Sequence, residues 1–360
     1  MRFIKNLFLA AFFVLITVYL IDQTMFKQEE ALGSAGEAVW KQHTLETKTA
    51  PLMDGMFPLK GDLFQWIKRD VESLTEAFGE PDRKDESAYE YTWWVYAELP
   101  DNYIQFGIQE NKVVTIYATG TDLDLSPVHI GQEYESAAES YAANGDFQFN
   151  DEVNYSKSYS SYTFLLNDED LISRPLVKVG EDIFIQNYFD TFTNELSSIR
   201  VLTADVLLEH RPYELEYRGS LPDRPSLSDE DWKEVEKGME QQIFDITNVL
   251  RSRHDSPQLS WEESVQEVAF EHSKDMAEND YFSHYSLNGD GLKERLSAVE
   301  EAYRTAGENI AAQYPDAPSA MEGWLNSEGH REALFNEDYT HLGVGVYRLY
   351  YTQNFMEKPL

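Results

Sequence analysis

The 360-residue sequence predicts an α+β protein in which two folded domains follow an N-terminal apolar helix. Three observations support this class. Residues 59–210 begin with apolar side chains at helical spacing and continue as aromatic and β-branched runs separated by polar turns. Residues 231–360 begin with two helical patterns and end with a hairpin pattern. The 20 Phe, 22 Tyr and 7 Trp residues supply a sizeable core, which excludes a chain that is disordered throughout.

Charge and cysteine content exclude several kinds of function. The chain has 65 acidic and 29 basic residues, a formal net charge of −36, so it repels phosphate backbones and we expect no nucleic-acid partner. It contains no cysteine, which rules out disulfides, thiol nucleophiles and thiolate zinc sites. Any metal ion would have to be held by His, Asp or Glu.

The N-terminal segment, residues 1–26, is predicted to interact with the membrane. Arg2 and Lys5 precede the charge-free apolar stretch 6–21, and with its flanks this stretch can span a bilayer core of about 30 Å. We predict a single-pass anchor formed by residues 3–26, with the rest of the chain outside the cytoplasm. The alternative is a cleaved signal peptide and a secreted protein, although the first small residue after the apolar stretch is Ala31.

Residues 27–58 are predicted to form a stalk, because they mix polar residues with Gly and Pro and have no apolar period. In the domain that follows, apolar residues from Leu63 to Phe78 predict one amphipathic helix that ends at Gly79. Strands are predicted at Tyr89 to Leu99, Tyr103 to Ile108 and Lys112 to Thr119.

A similar order of helix and strands recurs from Val128, which predicts an internal duplication, with chance resemblance as the alternative. In this alignment Tyr103 to Phe106 corresponds to Ile183 to Gln186. Val113 to Ile116 corresponds to Ser197 to Arg200.

The proline-rich residues 211–230 are predicted to be the linker to the second domain. Ser228 is predicted to cap the first helix of that domain and Ser260 the second. His272 lies on the apolar face of the second helix, so we interpret it as a core histidine. The final hairpin pairs Leu342 to Tyr347 with Tyr350 to Phe355.

The candidate chemistry lies in three residues, His284, Glu308 and His330. Two imidazoles and one carboxylate form the ligand set of an open zinc site, which leaves a position for water. Their spacing alone does not separate a metal site from scattered hydrogen-bonding histidines. No H-E-x-x-H motif, no nucleophile elbow and no phosphate-binding glycine loop is present.

These residues belong to short sequence motifs, which follow one another in the order Leu259-Ser260-Trp261, Ala269 to Ala277, Tyr281 to His284, Gly307 to Ile310, Trp324 to Arg331 and Leu342 to Val346. Over about residues 243–356 the sequence resembles the CAP superfamily, which contains the cysteine-rich secretory proteins, antigen 5 and the pathogenesis-related proteins. It is similar to the cysteine-free, bacterial SCP-like branch. The region before it, with Phe78-Gly79-Glu80-Pro81, is similar to the CAP-associated domain. The resemblance implies a C-terminal α-β-α sandwich with an antiparallel sheet, preceded by a smaller α+β domain.

The resemblance also implies a cleft lined by two histidines and two glutamates, which binds zinc or another divalent cation in some members. His284, Glu308 and His330 match this set. Glu328 lies near the place of the second glutamate, where bacterial relatives usually have proline. Asn309 and Ser327 have hydrogen-bonding side chains, so we expect them to orient the cleft residues.

We therefore expect an extracytoplasmic, membrane-anchored protein that binds a divalent ion, a cell-wall component or another small ligand at the bacterial cell surface. Recognition is expected rather than turnover, because no nucleophile is evident. The first alternative is a metal-dependent hydrolase of cell-envelope peptide or peptidoglycan, in which Glu308 completes the ligand set or acts as general base. The second alternative is a non-catalytic scaffold of the cell envelope.

Overall fold

The structure is a computed structural model that describes residues 58–97 and 101–359. The predicted membrane segment, residues 1–26, and all but the last residue of the predicted stalk lie outside the described residues. Within the described ranges, no helix is both long enough and apolar enough to cross a membrane.

The N-terminal part of the described chain is built mainly from strands. A 3-10 helix, Asp62–Trp66, is followed in chain order by α1 (Val71–Phe78), β1 (Arg83–Glu86), β2 (Thr92–Tyr96), β3 (Asn102–Gln109), β4 (Lys112–Gly120), α2 (Tyr134–Ala143), β5 (Glu152–Lys157), β6 (Ser160–Leu165), α3 (Asp168–Ser173), β7 (Leu176–Lys178), β8 (Ile183–Asp190), β9 (Glu195–Thr203), α4 (Ala204–His210) and β10 (Glu214–Arg218). Seven strands form one sheet in the order β1-β2-β3-β4-β9-β8-β7. A smaller sheet has the order β10-β6-β5. Strand β10 lies inside the predicted linker 211–230.

The single helix predicted from Leu63 to Phe78 is wrong, because the structure divides it into the 3-10 helix and α1. Between them Lys68 has a φ of 66°, and its N–H donates to the carbonyl of Val113 at 2.7 Å. The Asp70 side chain then accepts the N–H of Ser73 at 2.9 Å and caps α1. The apolar spacing continues through this break, so periodicity alone did not reveal it.

The two predicted hairpins, β3–β4 and β8–β9, lie side by side in the large sheet and pair through β4 and β9. Each hairpin carries an irregularity at the corresponding place, Gly107/Ile108 in one and Tyr188/Phe189 in the other. This correspondence aligns Tyr103 with Phe184, so the predicted residue alignment is shifted by one position. The shift matters because a slip of one residue moves every side chain to the other face of a strand.

The large sheet buries both of its faces. One face packs against the 3-10 helix, α1 and α2 through residues such as Phe64, Leu74 and Tyr141. The other face presents Tyr103, Tyr117 and other aromatic residues to the C-terminal part, in one continuous core. The second face of this sheet is therefore completed by the rest of the chain.

The C-terminal part alternates helices with a four-stranded sheet. Its elements are α5 (Asp229–Arg253), β11 (Ser260–Trp261), α6 (Glu263–Glu278), α7 (Leu292–Ala298), β12 (Ala306–Ala312), α8 (Ala317–Leu325), α9 (Glu328–Leu334), β13 (His341–Tyr347) and β14 (Tyr350–Met356). The sheet order is β11-β13-β14-β12, and all pairs are antiparallel except β11 with β13. The domain that was expected to be the smaller one therefore contains the larger sheet.

Helices cover both faces of this four-stranded sheet, which gives three layers. On one face α6 approaches β13 at Gly343 and Gly345. On the other face Leu342 and Val344 share a core with residues of α5 and α8, since side chains alternate along a strand. Helix α5 also packs against β1, β3 and β4, so it lies between the two sheets.

The predicted helix starts in this part have different outcomes. Ser228 caps α5 as predicted, since its hydroxyl accepts the N–H of Asp231 and the Asp231 carboxylate accepts the N–H of Ser228. The prediction that Ser260 caps the next helix is wrong. Ser260 and Trp261 form β11 beside β13, and α6 begins at Glu263.

Gly345→Ala is expected to lower the free energy of unfolding by about 1–3 kcal/mol. A Cβ atom at this position would lie 1.9 Å from the backbone nitrogen of Phe270 and 2.2 Å from the carbonyl carbon of Ala269, so α6 would have to move off β13. Urea denaturation measures the change. Gly329→Ala is the control, because a Cβ there meets nothing within 4 Å. Equal stability of the wild type and Gly345→Ala would contradict the close packing.

Candidate functional site

The three predicted cleft residues come from three different elements of the C-terminal part. His284 lies in the connection between α6 and α7, Glu308 lies on β12, and His330 lies in α9. Among the described strands β12 pairs with β14 alone and forms one edge of the sheet, and α7, α8 and α9 all contact it. Glu308 and Asn309 therefore lie in a strand beside these helices.

The Glu308 side chain is almost fully buried, with 4% of it exposed, and both of its carboxylate oxygens are engaged. Oε1 lies 2.9 Å from Nδ1 of His284. Oε2 accepts a hydrogen bond from the Arg295 guanidinium at 2.5 Å. The carboxylate is therefore held by one imidazole and one guanidinium.

The bond to Glu308 fixes the orientation of His284. A carboxylate only accepts hydrogen bonds, so Nδ1 of His284 carries the proton and Nε2 is left for other partners. The His284 side chain is 51% exposed. Glu308 thus orients an exposed imidazole, a role that carboxylates often play toward ligand-binding histidines.

His330 is held by Ser327 and Asn309, the two residues predicted to orient the cleft. Its Nδ1 lies 2.8 Å from the hydroxyl of Ser327. The buried amide of Asn309 donates to the carbonyl of His330 at 3.1 Å and to Oε1 of Gln353 at 3.2 Å. Burial, together with the nearby His284, lowers the pKa of His330 below its usual value.

The side chains as arranged do not fit a three-ligand metal centre. Within residues 58–97 and 101–359, no group of three or more His, Asp or Glu side chains is placed to hold a metal ion. The carboxylate that would complete such a set already pairs with the guanidinium of Arg295. Glu328 does not replace it, because it lies exposed in the first turn of α9.

His272 is a core residue, as predicted. It is almost fully buried, and its Nε2 lies 3.0 Å from the carbonyl of Ser283. Burial lowers its pKa below the usual value. Its Nε2 also comes within 4.0 Å of Glu308 Oε1, so it forms part of the wall behind the cleft.

A cavity of about 540 Å³ adjoins this cleft and is lined by both parts of the chain. The C-terminal part contributes His330 and Ser327 together with the aromatic side chains of Phe282 and Trp324. The N-terminal part contributes residues near α3 and in β8, among them Arg174 and Tyr188. The size is within the roughly 300–1,000 Å³ typical of small-molecule sites.

Sequence reasoning missed Arg295, Arg174 and Tyr188. Arg295 belongs to no recognisable motif, and it meets Glu308 only because α7 packs against β12. Arg174 and Tyr188 precede the cleft residues by a long stretch of chain and belong to the other domain. No local pattern in the sequence indicates that they share a cavity with His330.

Comparisons with known proteins agree with this arrangement. Residues 67–213 match the CAP-associated N-terminal model, and residues 244–356 match the cysteine-rich secretory protein family model. The uncharacterized membrane protein YlbC of Bacillus subtilis (strain 168) is 47% identical over 296 residues, which is 82% of this chain and 84% of that protein.

Two solved structures are also similar. An extracellular protein containing an SCP domain from Bacillus anthracis str. Ames has 41% identity and a TM-score of 0.77, covering 89% of this chain and all of that one. A cysteine-rich secretory protein from Staphylococcus aureus has 27% identity and a TM-score of 0.69, covering 83% of this chain and 96% of that one. The chain therefore belongs to the cysteine-rich secretory protein (CAP) family, and it carries a CAP-associated domain before its CAP domain.

Proposed function

We propose that this protein is an extracytoplasmic, membrane-anchored binding protein of the bacterial cell surface, and that its CAP cleft and the adjoining cavity take a small ligand. The observation that carries the proposal is the position of His330 and Ser327, which belong to the cleft and also line the cavity. A ligand seated there would touch both domains. This gives the CAP-associated domain a share in recognition.

The chemistry of the cavity favours a ligand with both polar and apolar parts. Phe282 and Trp324 offer apolar contact area, whereas His330 and Arg174 offer hydrogen-bonding and charged groups. The Arg174 guanidinium is held by Asp170 at 2.7 Å, so its position is fixed before a ligand arrives. A fragment of the cell wall, which combines sugars with a short peptide, has this mixed character.

The membrane part of the proposal rests on the sequence and on the names of two similar proteins. Residues 3–26 have the length and basic flank of a single-pass anchor. The relative from Bacillus subtilis is named as a membrane protein, and the similar protein from Bacillus anthracis is named as extracellular. A secreted form released by cleavage is the alternative.

Zinc or another divalent cation is the second candidate ligand. It is supported by the two imidazoles of His284 and His330, but Glu308 would first have to leave Arg295. The metal-dependent hydrolase needs the same rearrangement and therefore has less support. A scaffold without any ligand is the third candidate.

Binding of soluble muropeptides, the disaccharide-peptide fragments of peptidoglycan, tests the proposed function. We expect the full-length chain to bind them in calorimetric titrations. His330→Ala and Arg174→Ala should each weaken binding by at least about tenfold, or about 1.4 kcal/mol. Tyr159→Ala is the matched control, because this side chain is fully exposed at the β5–β6 turn, outside the cavity.

The results of these titrations distinguish the candidate functions. Equal binding by all four proteins would place the ligand elsewhere, and no binding by any of them would favour the scaffold. Fragments that are cleaved by the wild type but not by His330→Ala would favour a hydrolase.

A further inference from the structure

The carboxylate of Glu308 is a buried charge that needs compensation. Only 4% of this side chain is exposed, and a buried carboxylate without a compensating charge is strongly destabilising. In a metal-binding cleft a divalent ion would supply the compensating charge. Here the guanidinium of Arg295, itself only 11% exposed, lies 2.5 Å from Oε2.

Arg295 also holds the segment that carries His284. Its NH1 group donates to the carbonyl of His284 at 3.1 Å and to the carbonyl of Asp290 at 3.3 Å. Because a guanidinium has several donors in a rigid plane, one side chain can bind the carboxylate and this loop together. Arg295 thus fixes Glu308 directly and the His284 backbone at the same time.

A divalent cation bound through Glu308 would meet this guanidinium at close range. Two like charges a few ångströms apart in a partly buried site repel each other strongly, because little water screens them. The ion would also have to break the short hydrogen bond between the Arg295 guanidinium and the Glu308 carboxylate. Both effects act against metal binding even though two imidazoles are close by.

We infer that Arg295 is the resident counter-charge of this cleft and takes the place that a divalent cation would otherwise occupy. The cleft accordingly works without a metal ion, and its ligand contacts the imidazoles directly. Arg295 is a positioning residue in this scheme. Removing its charge frees Glu308 and turns the cleft into a divalent-metal site formed by Glu308 with His284 and His330.

Zinc binding to the purified full-length chain, measured by equilibrium dialysis, tests the inference. Arg295→Gln should bind zinc at least about tenfold more tightly than the wild type, since a repelling charge is gone and a carboxylate is free. This gain should disappear in the double variant Arg295→Gln/His284→Ala. Arg295→Lys keeps the charge and should bind zinc as weakly as the wild type.

The control is Arg304→Gln, which removes an arginine that pairs with Glu357 at the surface, 3.0 Å away. This control also measures weak zinc binding by the many surface acids. Equal zinc affinity of the wild type and a folded Arg295→Gln would overturn the inference. If Arg295→Gln does not fold, zinc binding by the wild type and its histidine variants tests the inference. Micromolar zinc binding that is lost in both His284→Ala and His330→Ala would overturn the inference, and its absence would support it.

Discussion

Replacing Arg200 by alanine is expected to lower the free energy of unfolding by about 3–5 kcal/mol. Arg200 lies on β9 and pairs with Asp316, the N-cap residue of α8, at 2.9 Å; the two side chains are 1% and 2% exposed. The Arg200 guanidinium also comes within 3.3 Å of Nδ1 of His210. Its removal leaves the Asp316 carboxylate buried without its main partner, between the two domains.

Equilibrium denaturation in urea measures this loss, and the matched control is an exposed pair. Lys157 and Asp205 lie 2.9 Å apart with side chains 57% and 58% exposed, so Lys157→Ala should cost no more than about 1 kcal/mol. Similar costs for Arg200→Ala and Lys157→Ala would mean that the buried pair contributes little to the joining of the two domains.

Glu322→Gln is expected to change how stability depends on pH. Glu322 lies on α8 and is almost fully buried against the large sheet, where its Oε1 accepts hydrogen bonds from Ser198 at 2.5 Å and from Tyr117 at 3.1 Å. Its Oε2 has no hydrogen-bond partner among the described residues. Burial raises the pKa of Glu322 to about 7, although these hydrogen bonds and the charge of Arg253 act in the opposite direction.

The sign of the effect follows from this raised pKa. The folded protein holds the proton up to about pH 7, whereas the unfolded chain releases it near the ordinary value of 4.5. The stabilisation is therefore complete below about pH 4.5 and is lost as the pH rises through 7, by roughly 3 kcal/mol in total. The glutamine of Glu322→Gln does not titrate. The free energy of unfolding of this variant, relative to that of the wild type, should therefore increase by roughly 3 kcal/mol between pH 4.5 and 8.

Urea denaturation of both proteins across this pH range measures the difference, in which the contributions of all other groups cancel. A constant difference from pH 4.5 to 8 would show that Glu322 does not titrate in this window. A rising difference would identify the interface between the domains as a part of the molecule that weakens as the pH rises from about 4.5 to 7.

The sequence predicted the long regular elements well, for a local reason. Apolar steps of three and four residues from Trp232 to Leu250 correspond to α5, and the two alternating runs near the C-terminus correspond to β13 and β14. The short elements were missed or misassigned. Ser260 has the residue type of a helix cap, but pairing beside β13 places it in a strand.

The cleft shows the same difference between what local sequence predicts and what tertiary contacts decide. The motifs around His284, Glu308 and His330 predicted that these residues share a site, and Glu308 does contact His284 directly. The roles of these three residues depend on neighbours that lie outside their sequence motifs. Glu308 was predicted to be a metal ligand, and the structure adds a partner that this prediction did not include: Arg295, 13 residues away in the chain, donates to its second oxygen.

The sequence by itself determined the family, the main helices and strands, and the identity of the cleft residues, because periodicity and short motifs are properties of neighbouring residues. Only the tertiary structure decided the pairing of Arg295 with Glu308, the buried pair of Arg200 and Asp316 across 116 residues, and the cavity shared by the two domains. These contacts join segments that meet only after the sheets and helices pack. The charge environment of the cleft is therefore a property of the packed domains and cannot be found in any single segment.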